Sequence, residues 1–497
     1  MNHCYVPAGE GNAPRLIIIF LGWGVRPEAF ARLRKSGYDL LLLADYDSTA
    51  AENAERIVGR IEQERGTRYV EVVLIAWSFG VRVAADFLSK TALPVSMRLA
   101  VGGSLWHVDD ERGIPKKIFD ATLGTLSADS IRKFLLRTAG SKRAFEEFFS
   151  AEDIDDARLN ELREQLQWFG SLPSCGESIA CWDRAIICEN DRIFPAANLR
   201  NAWRDVDVHL IAGGSHLPDF QKILDDFVID KCKVDSRFTE ASDTYSGNAE
   251  VQLKVAKRLA GYLLSHLSAE NISAENKCTV GSALSILEVG CGSGDFTRQY
   301  LPELLPEAER VTLSDLHCDA RLRQQFSGSN VAFVEADADS VIFTEECLSG
   351  EGYDLILSSS MLQWLNSPAN FIRRCAGALR PGGLLLLSLY GPATFRELSA
   401  SLGIGLKYPS LAALTKVGTE AELRLLDMAE EMLTLRFANA AEVMRHLRLT
   451  GVNALPVKPS TASLRRLMLD WPSVDNATGE ALLTFNPLYF VFQKPQQ

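Results

Sequence analysis

Glu288-Val289-Gly290-Cys291-Gly292-Ser293-Gly294 decides the fold of the C-terminal half of this 497-residue chain. Residues 285–289 are a compact apolar run that predicts a strand, and a helical pattern opens near Phe296. A strand, a turn of alternating glycines and a helix let the backbone approach a ligand more closely than any side chain would allow. The next predicted strand, residues 310–313, leads to Asp315, where a carboxylate can accept both hydroxyls of a ribose. Strands are also expected at 331–335, before Asp337, at 355–358, and at 384–389 after Leu379-Arg380-Pro381-Gly382-Gly383. The glycines follow Gly-x-Gly-x-Gly in place of Gly-x-Gly-x-x-Gly, and Glu288 leads into them, so a dinucleotide pyrophosphate is not expected.

These features resemble the class I S-adenosylmethionine methyltransferases, with their Rossmann-like α/β sheet. The resemblance implies S-adenosyl-L-methionine as cofactor. Glu288, Gly290, Gly292 and Gly294 would line its methionine end, Asp315 would hold the ribose, and Asp337 with Ala338 would meet the adenine. Most of residues 236–493 is further similar to the BioC family of malonyl-acyl-carrier-protein O-methyltransferases of biotin synthesis. The motifs are Phe238-x-x-Ala241-x-x-x-Tyr245, Leu362-Gln363-Trp364, Met444-Arg445-His446-Leu447-Arg448 running into Gly451, and Leu483-Thr484-Phe485-Asn486-Pro487-Leu488-Tyr489. This implies that Tyr245 folds over the cofactor and that Gln363 and Trp364 meet the acceptor. Arg445 or Arg448 could hold the acceptor carboxylate as a bidentate cation; both also read as ordinary mid-helix surface arginines. Methylating a carboxylate needs no general base, because the nucleophile is already anionic, so catalysis rests on alignment and exclusion of water.

The N-terminal half, residues 1–232, alternates predicted strands at 16–21, 40–43, 70–76 and 184–188 with helical stretches, the rhythm of a parallel sheet. From about 106 to 170 the strand signal gives way to helical spacing (Ile131, Phe134, Leu135; Phe145, Phe148, Phe149), which reads as an inserted lid. Strand 70–76 runs into Trp77-Ser78-Phe79-Gly80, the strand-turn-helix setting of a nucleophile elbow, although Ala76 replaces the usual first glycine. Glu189-Asn190-Asp191 follows strand 184–188, and Gly213-Gly214-Ser215-His216 follows 208–212. The order Ser, Asp, His is that of the α/β-hydrolases, with Ser78 as nucleophile, His216 as base and then acid, and Asp191 orienting the imidazole. Asp183 and Asp207 are weaker candidates for the acid. Gly22-Trp23-Gly24 would offer one oxyanion donor from Trp23, and Phe79 the other. These motifs, with Gly113-Ile114-Pro115, Phe119, Thr122-Leu123 and His216-Leu217-Pro218, resemble the BioG family of pimeloyl-acyl-carrier-protein methyl ester esterases over nearly all of residues 1–230.

Composition bounds the remaining possibilities. Hydrophobic residues at 47% and charged residues at 23% are ordinary for a globular chain too long for one core. A net charge of −12 argues against nucleic-acid binding, and no apolar run approaches membrane-spanning length. Ten cysteines without Cys-x-x-Cys or zinc spacing suggest free thiols in the cytoplasm and no metal. Arg112, Lys116, Lys117, Arg132, Lys133, Arg137, Lys142 and Arg143 stand against only Asp120 and Asp129 in segment 112–143, a surface for an acidic acyl carrier protein or simply a solvated helical face.

The two resemblances reinforce each other, since one activity installs a methyl ester on a carrier-bound dicarboxylate and the other removes it. The expectation is a two-domain fusion, with 236–497 as the methyltransferase. The alternatives are a methyltransferase for a small free acid joined to an unrelated serine esterase, or to an inactive carrier-docking module.

Overall fold

Long apolar runs bounded by turn residues produce the central strands of the first sheet in the computed structural model. It describes residues 1–9, 13–149, 154–173, 182–267, 284–304, 308–327, 330–402, 405–452 and 460–496. Residues 150–153, inside the expected lid, lie outside the described residues. The chain divides into two compact units, Met1–Leu224 and Asp225–Gln497.

In the first unit the strands are β1 (Asn2–Val6), β2 (Arg15–Phe20), β3 (Tyr38–Ala44), β4 (Glu71–Trp77), β5 (Val95–Val101), β6 (Arg184–Cys188) and β7 (Asp207–Ile211). Their order is β1-β3-β2-β4-β5-β6-β7, with every pairing parallel except β1 with β3. Strands β2, β3 and β4 are buried along their whole length, as expected for a parallel sheet covered on both faces. β1 and β5 escape the sequence reading because they are polar in part. Within β5, Ser96 Oγ donates to Glu71 at 2.8 Å and the Arg98 backbone N–H donates to Asp183 at 2.8 Å, so their burial is compensated in ways a hydropathy pattern does not show. Between β5 and β6 lie the helices Lys116–Gly124, Ala128–Ala139, Lys142–Phe148 and Asp156–Ser171. Trp23 Nε1 donates to the Leu162 carbonyl at 3.0 Å, and buried Arg158 pairs with Asp45 at 2.8 Å, fixing this insertion to the loops after β2 and β3.

The second unit has β8 (Leu284–Val289), β9 (Ala308–Asp315), β10 (Val331–Glu335), β11 (Tyr353–Ser359), β12 (Leu379–Tyr390), β13 (Arg424–Glu430), β14 (Leu433–Phe437), β15 (Ala481–Phe485) and β16 (Pro487–Gln493). The main sheet runs β10-β9-β8-β11-β12-β16-β13, parallel from β10 to β12, with β16 antiparallel to both neighbours. β14 and β15 pair separately. Alternation builds two cores, one on each side of the sheet. Leu287, Ile356, Leu385, Leu387, Phe490 and Phe492 join one, while Ile286, Leu355, Leu357, Leu384, Leu386 and Val491 join the other.

Both sheets reverse strand order at an interior strand, β2 standing between β3 and β4, and β8 between β9 and β11. The crevice outside the carboxyl ends of strands at such a point is where open α/β sheets bind ligands. The loops carrying Trp23 and Ser78 leave β2 and β4, and those carrying Gly290 and Ser360 leave β8 and β11.

Candidate active sites

Ser78 leaves β4 with φ 58°, a left-handed conformation that strains a non-glycine residue and tips its side chain out of the turn. The turn fits because Gly80 carries no Cβ; one there would lie 2.4 Å from the Phe20 carbonyl oxygen. Ser78 Oγ is 2.9 Å from His216 Nε2, and His216 Nδ1 is 2.7 Å from Asp191 Oδ2. The carboxylate can only accept, so Nδ1 carries the proton and Nε2 is left to take one from Ser78. Asp191 Oδ1 accepts from the backbone N–H groups of Ile193 at 2.7 Å and Phe194 at 2.9 Å, and the Phe194 ring stacks on the imidazole at 5.9 Å. All three side chains are buried. Asp183 and Asp207 are engaged elsewhere, with Arg98 and Arg184.

The backbone N–H groups of Trp23 and Phe79 make no hydrogen bond among the described residues. That of Phe79 sits just ahead of the helix Gly80–Leu88, where such groups have no intrahelical partner. Of the basic segment, Lys116, Lys117, Arg132, Lys133, Arg137, Lys142 and Arg143 are exposed. Arg112 differs: it is half-buried, with its guanidinium 4.2 Å from the centre of the Trp106 ring.

In the second unit a cavity of about 460 Å³ opens at the β8/β11 reversal, within the range of small-molecule sites. Gly290, Gly292, Ser293, Asp315, Asp337, Ala338, Tyr245 and Trp364 all line it. A Cβ on Gly290, at φ 81°, would lie 2.5 Å from Met361 Cβ, so the loop can run here only as glycine. Asp315 Oδ2 accepts from the Gly292 N–H at 2.8 Å, and burial raises the carboxyl above its usual range against that bond's opposing pull. Glu288 lies behind the loop and accepts from Thr297 Oγ1 at 2.8 Å; burial pushes its carboxyl up to about 7. Gly294 is likewise behind the wall, packed on Leu322. Tyr245 reaches the cavity from the helix Lys231–Asn248, one helical face of which also carries Phe238 and Ala241.

The remaining site candidates differ in placement. Arg445 and Arg448 do not line this cavity: Val443 and Leu447 turn inward, which leaves both arginines exposed, Arg445 beside Glu442 at 3.3 Å. Gln363 is buried and donates through Nε2 to the Ser360 carbonyl, so it braces the turn after β11 and does not face the cavity. Asp337 faces the cavity but also binds a cation, Lys231 Nζ, at 3.0 Å.

Lys231 was not singled out from sequence. It is 3% exposed, and Nζ also donates to Asp339 at 2.8 Å and to the Trp364 carbonyl at 3.0 Å. In sequence it stands in a short polar connector, and nothing local signals partners a hundred residues away. Among the described residues no cluster of three or more His, Cys, Asp or Glu is placed to hold a metal, and no helix is long and apolar enough to cross a membrane.

Residues 8–223 match the family described as Pimeloyl-ACP methyl esterase BioG, and residues 287–385 match one described as Methyltransferase domain. A malonyl-[acyl-carrier protein] O-methyltransferase of Bacteroides fragilis is 30% identical over 490 residues, covering 96% of this chain and 92% of that protein. Another, of Chlorobium luteolum, is 31% identical over 277 residues, 54% of this chain and 97% of its own length. A crystal structure of BioG from Haemophilus influenzae aligns at 27% identity over 44% of this chain and 94% of that one, with a TM-score of 0.33.

Proposed function

The chain belongs to the malonyl-[acyl-carrier protein] O-methyltransferase family, and from that premise we propose a bifunctional enzyme of pimeloyl precursor synthesis for biotin. Its C-terminal unit methylates the free carboxylate of malonyl-acyl carrier protein, and its N-terminal unit hydrolyses pimeloyl-acyl carrier protein methyl ester to pimeloyl-acyl carrier protein and methanol. The observation that carries the reading is an assembled Ser78–His216–Asp191 relay in a chain related end to end to a methyltransferase, which a bare docking module would not need.

In the N-terminal unit Ser78 Oγ attacks the ester carbon as its proton passes to His216 Nε2, and Asp191 stabilises the imidazolium. The Trp23 and Phe79 N–H groups receive the negative oxygen. His216 then protonates the departing methoxide, which leaves as methanol, and the same histidine activates the water that releases the acid. The exposed cations of segment 112–143 receive the acidic carrier protein, a steering role in which local charge outweighs the net charge of −12.

S-adenosylmethionine, bound in the second unit, supplies an electrophilic sulfonium methyl. The glycine-floored wall, a ribose-competent carboxylate and the cavity volume all fit such a group. Gly290 and Gly292 would hold its methionine end, Asp315 its ribose, and Asp337 with Ala338 its adenine. Tyr245 and Trp364 close the cavity against water. A cytoplasmic setting belongs to the same proposal.

The test follows ester mass in purified protein given malonyl-acyl carrier protein with S-adenosylmethionine and, separately, pimeloyl-acyl carrier protein methyl ester. Asp315→Ala should lose methylation alone and Ser78→Ala hydrolysis alone. A wild type inert toward both substrates refutes the named reactions.

A further inference from the structure

Resting on the methyltransferase reading above, we propose that the acceptor carboxylate is held by neutral hydroxyl groups, those of Ser359 and Ser360, and not by an arginine. Ser359 ends β11, Ser360 follows it, and both line the cavity together with Met361. Met361 packs on Gly290, so this turn stands over the glycine loop. Asp337 and Ala338 follow β10, three strands from β11 in the sheet, or about 14 Å at ordinary strand spacing. A ligand with its nucleoside at the β9 and β10 ends therefore directs its other end toward the two serines.

The basic side chains lining the cavity belong to that nucleoside end. Among the described residues they are Lys231, His317 and Arg321. Lys231 is bound to Asp337 and Asp339, while Arg321 pairs with Asp319 at 2.9 Å and His317 lies 3.8 Å from Glu335. Around the serines the polar side chains are uncharged: the hydroxyls of Ser388 and Tyr390 and the amide of Gln363. Ser388 Oγ donates to Ser359 Oγ at 3.3 Å, which leaves the Ser359 O–H to donate in turn. Ser360 Oγ donates to the buried Tyr390 Oη at 3.4 Å, a long bond that an incoming carboxylate, the stronger acceptor, can replace.

Ser360 is also a strained residue, at φ 58°. Its N–H donates to the Ser388 carbonyl at 2.9 Å and its carbonyl accepts from Gln363 Nε2, so the turn is braced on both sides. Strain held in this way at a ligand wall commonly serves to aim a side chain. The chemistry favours the same assignment. A bidentate arginine would draw charge from the attacking oxygen, whereas a hydroxyl donor orients the carboxylate and leaves a lone pair reactive. Hydrogen bonds to a charged acceptor are stronger than those to a neutral one, so methylation itself weakens the grip and releases the ester.

The test uses the full chain with Ser359→Ala, Ser360→Gly and Tyr390→Phe. Glycine adopts the Ser360 backbone conformation without strain, so that variant removes the hydroxyl and keeps the turn. Affinity for S-adenosylmethionine is measured by calorimetry without acceptor, and KM and kcat with malonyl-acyl carrier protein. Ser359→Ala and Ser360→Gly should each raise the acceptor KM about tenfold while the cofactor Kd stays within twofold. Tyr390→Phe, acting through Ser360, should raise KM less and leave kcat intact. Arg445→Ala and Arg448→Ala should leave KM unchanged. Unaltered KM in both serine variants, or a tenfold rise in either arginine variant, overturns the inference while the methyltransferase reading stands. A wild type that methylates no malonyl thioester overturns that reading and the inference with it.

Discussion

Asp191→Asn should cost ester hydrolysis three to four orders of magnitude and leave methyl transfer untouched. Asp191 Oδ1 accepts two backbone N–H groups, from Ile193 and Phe194, while Oδ2 faces His216 Nδ1 at 2.7 Å. An asparagine must turn its carbonyl oxygen to the two N–H groups, since the opposite orientation sets donors against donors. Its NH2 then faces Nδ1, which becomes an acceptor, and the imidazole proton moves to Nε2. That nitrogen lies 2.9 Å from Ser78 Oγ and can no longer receive its proton. Regaining the productive tautomer means breaking two buried hydrogen bonds, at roughly 1–3 kcal/mol each. Loss of the carboxylate that stabilises the imidazolium brings the total to about 4–6 kcal/mol, or 10³–10⁴ in rate. The assay is kcat/KM for the carrier-linked methyl ester, with methyl transfer by the same chain as internal reference and a melting curve to show that the fold persists. A loss below tenfold would refute the relay.

Glu288 gives a pH prediction. Burial raises its carboxyl from 4.5 to about 7, so the folded state favours the neutral form. The associated stability is present below about pH 4.5 and lost as pH rises through 7, about 3 kcal/mol in all. Glu288→Gln should flatten that loss between pH 5 and pH 8 in thermal scans, and an equal slope in both proteins would disprove it. Lys231→Met removes the ammonium from buried Asp337 and Asp339 and should destabilise the C-terminal unit by about 3–5 kcal/mol, with Asp339→Asn restoring part; denaturant titration measures this, and a cost under 1 kcal/mol argues against the buried ion pair. If the exposed cations of segment 112–143 steer the carrier protein, raising salt from about 0.05 to 0.5 M should lower kcat/KM for the carrier-linked ester several-fold and leave a small methyl ester unaffected. Equal salt dependence for the two substrates would count against docking there.

Most central strands were legible because each is a run of apolar residues ending in a turn, and β6 and β10 have the predicted bounds. Others escaped, among them β16, which is buried along its whole length. β13 is an edge strand, Arg424-Leu-Leu-Asp-Met-Ala-Glu, in which polar and apolar residues mix without a clean period. β5 is buried, yet its polar residues are neutralised by groups distant in sequence. The same division holds at the sites. Ser78, Asp191 and His216 follow strands and glycine-rich turns, so local pattern locates them, and parallel sheet order brings them together. Lys231, Ser388 and Tyr390 act through partners on other strands, and no local spacing announces such a role. Arg445 and Arg448, read both as carboxylate ligands and as surface residues, show the converse: a suitable side chain in a recognisable motif says nothing about which helix face it takes.

The two units bear the marks of their different chemical demands. Hydrolysis must create a nucleophile from a neutral hydroxyl, and the N-terminal unit spends a strained serine and a buried histidine–carboxylate pair on doing so. Methyl transfer starts from a nucleophile that is already an anion, and the second unit offers walls, glycines and hydroxyls in place of a base. Joined in one chain, the two activities would cancel unless the esterase ignored the ester just made. The seven-carbon ester exceeds the three-carbon one by four methylenes, and burying them fully is worth about 3 kcal/mol, roughly a hundredfold. A site that buries the longer chain thus suffices to separate the ester that must survive from the ester that must be cut.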